Sequence, residues 1–288
     1  MRFLQPATWC EALEMKAAYP DARPIAGGTD VMVEINLDRN RPATIIDLSR
    51  ISDLAEWGPE GAVVRVGAAV TYTRLIAELS DRLPALALAS RTVGSPQIRN
   101  RGTVGGNLGT ASPAGDAHPP LVAQDALVEL GSTAGTRRVP ARDFFVGPKR
   151  SAKRADELIA AFLVPPASGP QQFAKVGTRN AMVIAVCSFA LTLNPVTRQV
   201  GTGIGSAGPT PLRAVEAEEF IAGVLHEQQA WETRQRISDS MLRRFGELAA
   251  AATRPIDDVR GTADYRRQAV SVLARRCLGW AWEDYRRS

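Results

Sequence analysis

The sequence predicts an α+β protein in which small units of alternating strand and helix come first and a block of strands followed by helices comes last. Short runs rich in Val, Ile and Ala, such as Ala43–Leu48 and the stretch from Gly61 to Val70, alternate with helical patterns through the first two thirds. Residues 165–172, PPASGPQQ, then break the pattern with three prolines and a glycine. Beyond them, β-branched alternation at about 172–178, 183–193 and 198–205 gives way to helical spacing at about 212–223, 228–252 and 262–285. We expect two subdomains, 1–55 and 56–168, and a C-terminal α+β domain, 169–288, made of a small antiparallel sheet and helices.

In order, Pro6 and Thr8 open a helix that places Trp9, Ala12, Leu13 and Ala17 on one face. Arg23–Ala26 reads as a short strand, Gly27-Gly28 as a turn, Asp30–Leu37 as a helix, and Ala43–Leu48 as a strand that Pro42 begins. AVVRVGAAV from Ala62 suits a buried strand, and Thr71 can cap the helix TRLIAEL. PALALAS reads as helix, Arg91–Pro120 as a long loop, LVAQ as a short helix, ALVEL as a strand, GTRRV as a basic turn and LIAAFLV as a strand. In the last third Asn194-Pro195 turns the chain between strands. In the final helix Tyr265, Ala269, Leu273, Cys277 and Trp280 share a face that reads as core packing, with Arg266, Arg267, Arg275 and Arg276 elsewhere.

Composition excludes several functions. At 288 residues with 45% hydrophobic and 23% charged residues, the chain can bury a substantial core. A formal net charge of +5 with scattered arginines does not make a nucleic-acid stripe. No run approaches the roughly 20 apolar residues that span a bilayer, and the opening MRFLQPATW has no long apolar segment, so a cytoplasmic location is expected. Cys10, Cys187 and Cys277 form no CxxC and cannot supply four thiolates to an iron–sulfur cluster. His118 and His226 lack partners at metal spacing, and no Ser–His–Asp or Cys–His set can be assembled, so we assign no metal ligand and no catalytic side chain. GTGIGSAG at 201–208 has the wrong glycine spacing for a dinucleotide fingerprint.

Two glycine-rich stretches point to a ligand. Arg91–Pro120, crowded with Gly, Pro, Ser, Thr and Asn, holds Gly105-Gly106-Asn107, where main-chain N–H groups can approach an anion without a Cβ in the way. PIAGGTDV at 24–31 repeats the device, with Thr29-Asp30 at a helix start that adds its own free N–H groups. Two such loops suit a diphosphate better than one. Lys175 inside the apolar strand QQFAKVG is unusual unless its ammonium meets an anion or a carbonyl; the alternative is an edge-strand lysine that discourages aggregation. Asp116 can equally cap the helix after Pro119-Pro120.

AGGTD at 26–30, ATIIDLSRI at 43–51, GSPQIRNRGTVGGNLGTASPAGD at 94–116, GTRRVPARDFF at 135–145, DELIAAFLVP at 156–165 and FAKVGTR at 173–179 resemble the FAD-binding subunit of the molybdenum hydroxylases. That family includes xanthine dehydrogenase and carbon monoxide dehydrogenase. The resemblance is close over the first two thirds and follows only the pattern beyond. It implies a two-part FAD-binding domain of the vanillyl-alcohol-oxidase (PCMH) type across 1–55 and 56–168, with the C-terminal domain appended. Flavin chemistry needs little from side chains, because the ring carries the electrons and the protein supplies binding and tuning.

The resemblance assigns the diphosphate to Pro24, Ile25, Ala26, Gly27, Gly28, Thr29, Asp30 and Val31, and the diphosphate with the ribityl chain to Thr103, Val104, Gly105, Gly106 and Asn107. Thr110 and Ser112 match hydroxyls close to the flavin, and Asp116 a carboxylate that accepts from a sugar hydroxyl. Val93 and Ile159 match apolar positions bordering the cofactor, and Lys175 lies near the ring, where it would stabilise the charge gained on reduction. FAD should be bound non-covalently, since neither Pro24–Val31 nor Thr103–Asn107 holds His or Cys. Molybdopterin and 2Fe-2S clusters belong to partner subunits in this family, which implies a dimer of heterotrimers passing electrons to an acceptor such as NAD or quinone. AGGTD with GTASPAGD looks more like xanthine dehydrogenase and related N-heterocycle or aldehyde dehydrogenases than like carbon monoxide dehydrogenase, whose first loop typically reads AGGHS or AGGQS. A carbon monoxide dehydrogenase or aldehyde dehydrogenase medium subunit, a free-standing FAD reductase and a non-enzymatic flavin sensor are the other readings.

Overall fold

The computed structural model describes residues 1–288. The chain opens with β1 (Arg2–Leu4), α1 (Trp9–Ala18), β2 (Arg23–Ile25), α2 (Val31–Asn36) and β3 (Thr44–Asp47). The strands form a parallel sheet in the order β1-β3-β2, so each crossover needs a helix, and α1 and α2 supply them. The Thr8 hydroxyl accepts from the Glu11 N–H at 3.2 Å while the Glu11 carboxylate accepts from the Ala7 N–H at 2.8 Å, which fixes the start of α1. β1 was not expected, because Arg2-Phe3-Leu4 shows no alternation and its order comes from pairing with β3. The core of this unit is small: Ala12, Ala22, Ile46, Leu48, Ile51 and Leu54, completed by Leu158 from a later strand. It leans on its neighbour.

After a 3-10 turn at Ser52–Ala55 the chain forms β4 (Trp57–Glu60), β5 (Val63–Gly67), α3 (Tyr72–Glu78), α4 (Pro84–Arg91), α5 (Pro96–Arg101), α6 (Val104–Thr110), α7 (His118–Ala123), β6 (Leu127–Ser132), β7 (Gly135–Pro140), α8 (Ala141–Phe144), β8 (Phe145–Gly147), β9 (Arg150–Ser151) and β10 (Leu158–Val164). Five of these strands make an antiparallel sheet in the order β4-β5-β10-β6-β7 over the largest core. Two expectations are corrected here. Arg91–Pro120 is no loop: Ser95 and Thr103 cap α5 and α6, their hydroxyls accepting from the Ile98 and Gly106 N–H groups. GTRRV is no turn but β7, with the reversal at Thr133-Ala134; Arg137 and Arg138 stay in the strand because each meets a carboxylate, Glu157 at 2.5 Å and Glu129 at 2.8 Å.

The last part contains β11 (Gln171–Val176), β12 (Cys187–Asn194), β13 (Gln199–Gly205), α9 (Val215–Glu227), α10 (Ala230–Thr233), α11 (Asp239–Ala251) and α12 (Ala263–Arg287), the strands antiparallel in sequence order. The single helix expected at 228–252 is two, because Gln229 and Arg234 take left-handed backbone conformations and Ser238 caps a new start. The expected stripe on α12 holds at Ala269, Leu273 and Cys277, but Tyr265 and Trp280 are about half exposed and Trp282 is buried instead. Arg266 goes inward, donating to the Val186 and Ser206 carbonyls at 2.8 and 2.7 Å and pairing with Asp258 at 2.6 Å. No helix is long and apolar enough to cross a membrane.

Every residue of α7 is buried, and this helix joins the two larger sheets. The alternating glycines of β13 explain how: a Cβ at Gly203 would stand 1.9 Å from the Pro119 carbonyl oxygen, and one at Gly201 2.1 Å from that of Ala123. GTGIG is therefore a docking face for backbone. Gly203→Ala should destabilise the protein by about 1–3 kcal/mol through overpacking, whereas Gly58→Ala, in open space on β4, should be nearly neutral. Denaturant midpoints of the two variants that coincide would refute this contact.

Candidate functional site

β2 ends at Ile25 and the backbone then turns outward through Gly28, whose φ of +77° favours glycine. The backbone N–H groups of Ala26, Gly27, Gly28, Thr29, Asp30 and Val31 meet no acceptor within the chain. Such a run of unsatisfied donors on one short loop is expected where an anion or ordered water completes the bonding. The α6 start faces the same space. Its Gly106 N–H is taken by Thr103 Oγ1 at 2.9 Å and its Asn107 N–H by the Thr103 carbonyl at 3.0 Å, so of the cavity-lining residues that open α6 Gly105 keeps a free donor.

Two contacts hold these loops together. A Cβ at Gly27 would stand 1.9 Å from the Arg101 carbonyl oxygen, so the absence of a side chain lets the first loop rest on the end of α5. Thr110 Oγ1 donates to Asp30 Oδ2 at 2.8 Å, pinning the far end of α6 to the start of α2. Gly105 has a different task, because its missing Cβ admits the Ala68 backbone; Gly106 faces open space apart from Thr103 Oγ1 at 3.1 Å.

Between the loops lies a cavity of about 390 Å³. Of the residues singled out in the sequence, Pro24 through Val31, Val93, Thr103, Gly105, Gly106, Asn107, Thr110 and Ile159 line it, while Val104, Ser112, Asp116 and Lys175 do not. The Val104 side chain is fully buried in the large core. The sequence reading missed Tyr72, Ile98, Gly109, Ala68 and Leu158, together with Lys16, Asp21, Arg23 and Lys153 at the start of β2. Tyr72 is the most telling omission: its ring is buried, its hydroxyl meets no partner in the chain, and burial, then the carboxylates of Asp116 and Asp30, push its pKa well above 10. It stays a phenol that can donate into the cavity. A diphosphate presents acceptors only, so the unpartnered N–H groups and the phenol fit a dinucleotide cofactor.

Asp116 and Lys175 meet each other instead. Lys175 Nζ lies 2.5 Å from Asp116 Oδ2 and donates to the Thr92 carbonyl at 3.2 Å, while Thr92 Oγ1 donates to the same carboxylate oxygen at 3.0 Å. Both side chains are 7% exposed, so although β11 is an edge strand, Lys175 is not a solvated guard, and α7 takes Ala117 rather than Asp116 as its cap residue. Burial raises the Asp116 pKa, with Lys175 and Thr92 opposing it, and its Oδ1 has no partner. Lys175 also lines a second cavity of about 410 Å³, with Thr92, Gly94, Arg99 and Arg179. Behind the first cavity His118 is fully buried against Phe145, Nε2 lying 3.1 Å from the Asn107 carbonyl, and burial lowers its pKa to about 4.

The sequence matches the family described as FAD binding domain in molybdopterin dehydrogenase over residues 1–167, and that described as CO dehydrogenase flavoprotein C-terminal domain over 172–281. The nicotinate dehydrogenase FAD-subunit of Eubacterium barkeri is 35% identical over 77% of this chain and 79% of its own length. The xanthine dehydrogenase FAD-binding subunit of Escherichia coli O157:H7 is 30% identical over 96% and 94%. The structure of a reconstituted CO dehydrogenase from Oligotropha carboxidovorans superposes with a TM-score of 0.90 at 28% identity, covering 99% of this chain and 98% of that one.

Two stability predictions follow from the buried charges. Lys175→Met leaves Asp116 buried and unpaired and should cost about 3–5 kcal/mol; adding Asp116→Asn should recover more than about 1 kcal/mol of that loss. Additive losses in the two single variants would mean the pair is not coupled. For His118 the folded pKa of about 4 lies below the 6.5 of the unfolded chain, so its contribution is complete above pH 6.5 and is lost as pH falls towards 4. Between pH 6.5 and 5 this amounts to about 2 kcal/mol at roughly 1.4 kcal/mol per unit. Unfolding free energies of wild type and His118→Gln should therefore converge as pH falls over that range; parallel curves would refute a buried neutral imidazole.

Proposed function

The chain belongs to the family of FAD-binding subunits of molybdenum hydroxylases, and on that premise we propose that it carries electrons within a multi-subunit enzyme, from the iron–sulfur clusters of a partner subunit to an acceptor such as NAD or a quinone. The observation that supports this most is the run of unpartnered N–H groups from Ala26 to Val31, facing Thr103–Asn107 across one cavity. FAD held there would supply a carrier able to take up and release electrons. The chain's own task is to bind and orient it. Ala26–Val31 and the start of α6 solvate the diphosphate, Tyr72 and Thr110 offer hydroxyls, and Val93 and Ile159 give apolar contact. We place Lys175 towards the ring, its charge moderated by Asp116, where it would favour the reduced cofactor. Ser112 joins them as a nearby hydroxyl.

The proposal extends to a molybdenum-cofactor subunit and an iron–sulfur subunit as partners, a dimer of heterotrimers and a cytoplasmic location. It also keeps the division of the chain at 1–55, 56–168 and 169–288. The substrate would bind the molybdenum subunit. The nicotinate and xanthine dehydrogenase relatives favour an N-heterocycle as its class, purines included. Turnover of a small substrate by this chain alone would support a free-standing reductase instead.

Acid precipitation of the purified protein should release FAD into the supernatant; FMN, or a flavin that stays with the pellet, would count against the assignment. Gly106→Val is the cleaner loop variant, since its side chain points into open cavity space, whereas Gly28→Val also strains a positive φ. Gly106→Val should lose flavin at unchanged far-ultraviolet dichroism, and full flavin occupancy in it would refute the cradle.

A further inference from the structure

The second cavity, of about 410 Å³, opens between the end of α4, the start of α5 and the segment that follows β11. Arg91, Arg99, Lys175 and Arg179 contribute to its wall, and no Asp or Glu does. Elsewhere in the fold Arg137, Arg138 and Arg213 each meet a carboxylate. Here the three guanidinium groups meet none. Arg91 has no hydrogen-bond or ion-pair partner in the chain. Arg99 spends both Nη1 donors on the Val93 and Gly94 carbonyls, at 2.9 and 3.2 Å, which anchors it and leaves its Nε–Nη2 edge free. Arg179 donates to the Met182 carbonyl through Nε at 3.1 Å and through Nη2, so its Nη1 is free. Lys175 has three N–H donors and gives one to Asp116 and one to the Thr92 carbonyl, so it keeps a third. The backbone N–H groups of Gly94 and Gly177, which also line this cavity, meet no acceptor in the chain.

We propose that this cavity is a second anion site, separate from the cradle at Ala26–Val31, which takes a small diphosphate ester. Cations gathered around one space without a counter-charge repel each other, and an anion placed among them removes that cost. The free Nε–Nη2 edge of Arg99 is the parallel pair of donors that forks onto two oxygens of one phosphate. Arg91 and Arg179 supply charge for a second phosphate, since one phosphate cannot engage every donor in a space of this size. The wall is apolar only at Ala181, Met182 and Val183, which suits the organic part of the ester. The site requires neither a bound flavin nor a partner subunit.

The test is calorimetric titration of the purified full chain with inorganic pyrophosphate and, separately, inorganic phosphate. Pyrophosphate should bind at least about tenfold more tightly than phosphate, because it engages more of the free donors. Arg91→Met and Arg179→Met, both at exposed side chains that hold no other side chain in place, should each weaken pyrophosphate about tenfold at unchanged far-ultraviolet dichroism. Arg99→Lys keeps the charge but loses the fork, and should weaken it about fivefold. Gly106→Val, which obstructs the diphosphate cradle, should leave pyrophosphate affinity within about twofold, since that cradle is a different cavity. Absence of pyrophosphate binding, equal affinities for the two anions, or affinities unchanged in both Arg91→Met and Arg179→Met would overturn the site. Binding lost in Gly106→Val alone would overturn it too, by placing the probe in the first cavity.

Discussion

The site depends on one close approach, the backbone of Arg101 and Gly102 resting on Gly27. Any Cβ at Gly27 would overlap the Arg101 carbonyl, so the first glycine loop can lie against the α5–α6 corner only because it has none. That contact aims two sets of backbone donors at a common space from two separate loops. It also explains why Gly27 and Gly28 stand together. The first glycine allows the approach, and the second turns the chain at positive φ so that the following N–H groups point outward.

A cradle made of N–H groups binds an anion without burying lysines that would need partners when it is empty. The one buried ammonium–carboxylate pair close by, Lys175 with Asp116, lies off the walls of the first cavity and spans two parts of the chain, from β11 to the segment before α7. An isolated buried charge is expensive, and a pair is tolerated only when its remaining valences are met. Thr92 meets some of them through its hydroxyl and carbonyl, whereas Asp116 Oδ1 is left without a partner in the chain. The pair therefore stores less stability than its short distance suggests, and its Lys175 also lines the second cavity.

Much of this was legible in the sequence. The strands with strong apolar runs, the break at 165–172 and both glycine stretches stand out because each follows from local composition. What was missed depends on distant partners. β1 and β7 carry arginines or exposed residues and become strands through β3, β6 and the carboxylates of Glu129 and Glu157. α5 and α6 hide in a stretch full of Gly and Pro because Ser95 and Thr103 start each helix and Gly105 is needed for packing against Ala68, not for turning. Tyr72 carried only one weak signal, its place after a capping Thr71, and nothing local shows that its hydroxyl reaches a cavity. Asp116 and Lys175 were both singled out, yet their pairing across 59 residues of sequence could be read only in the fold.

The uneven cores add a last consequence. The unit built on β1, β2 and β3 buries few apolar side chains of its own and borrows Leu158 from β10, so its packing alone provides little stability. Its loop from Ala26 to Val31 also withholds backbone donors from internal bonding. A ligand that bridges this loop and α6 contributes its binding free energy to the native state alone, and does so where the chain is weakest. The glycines that shape the cradle therefore matter for folding as much as for recognition, because the loop they form is also the seam between the two halves of the site.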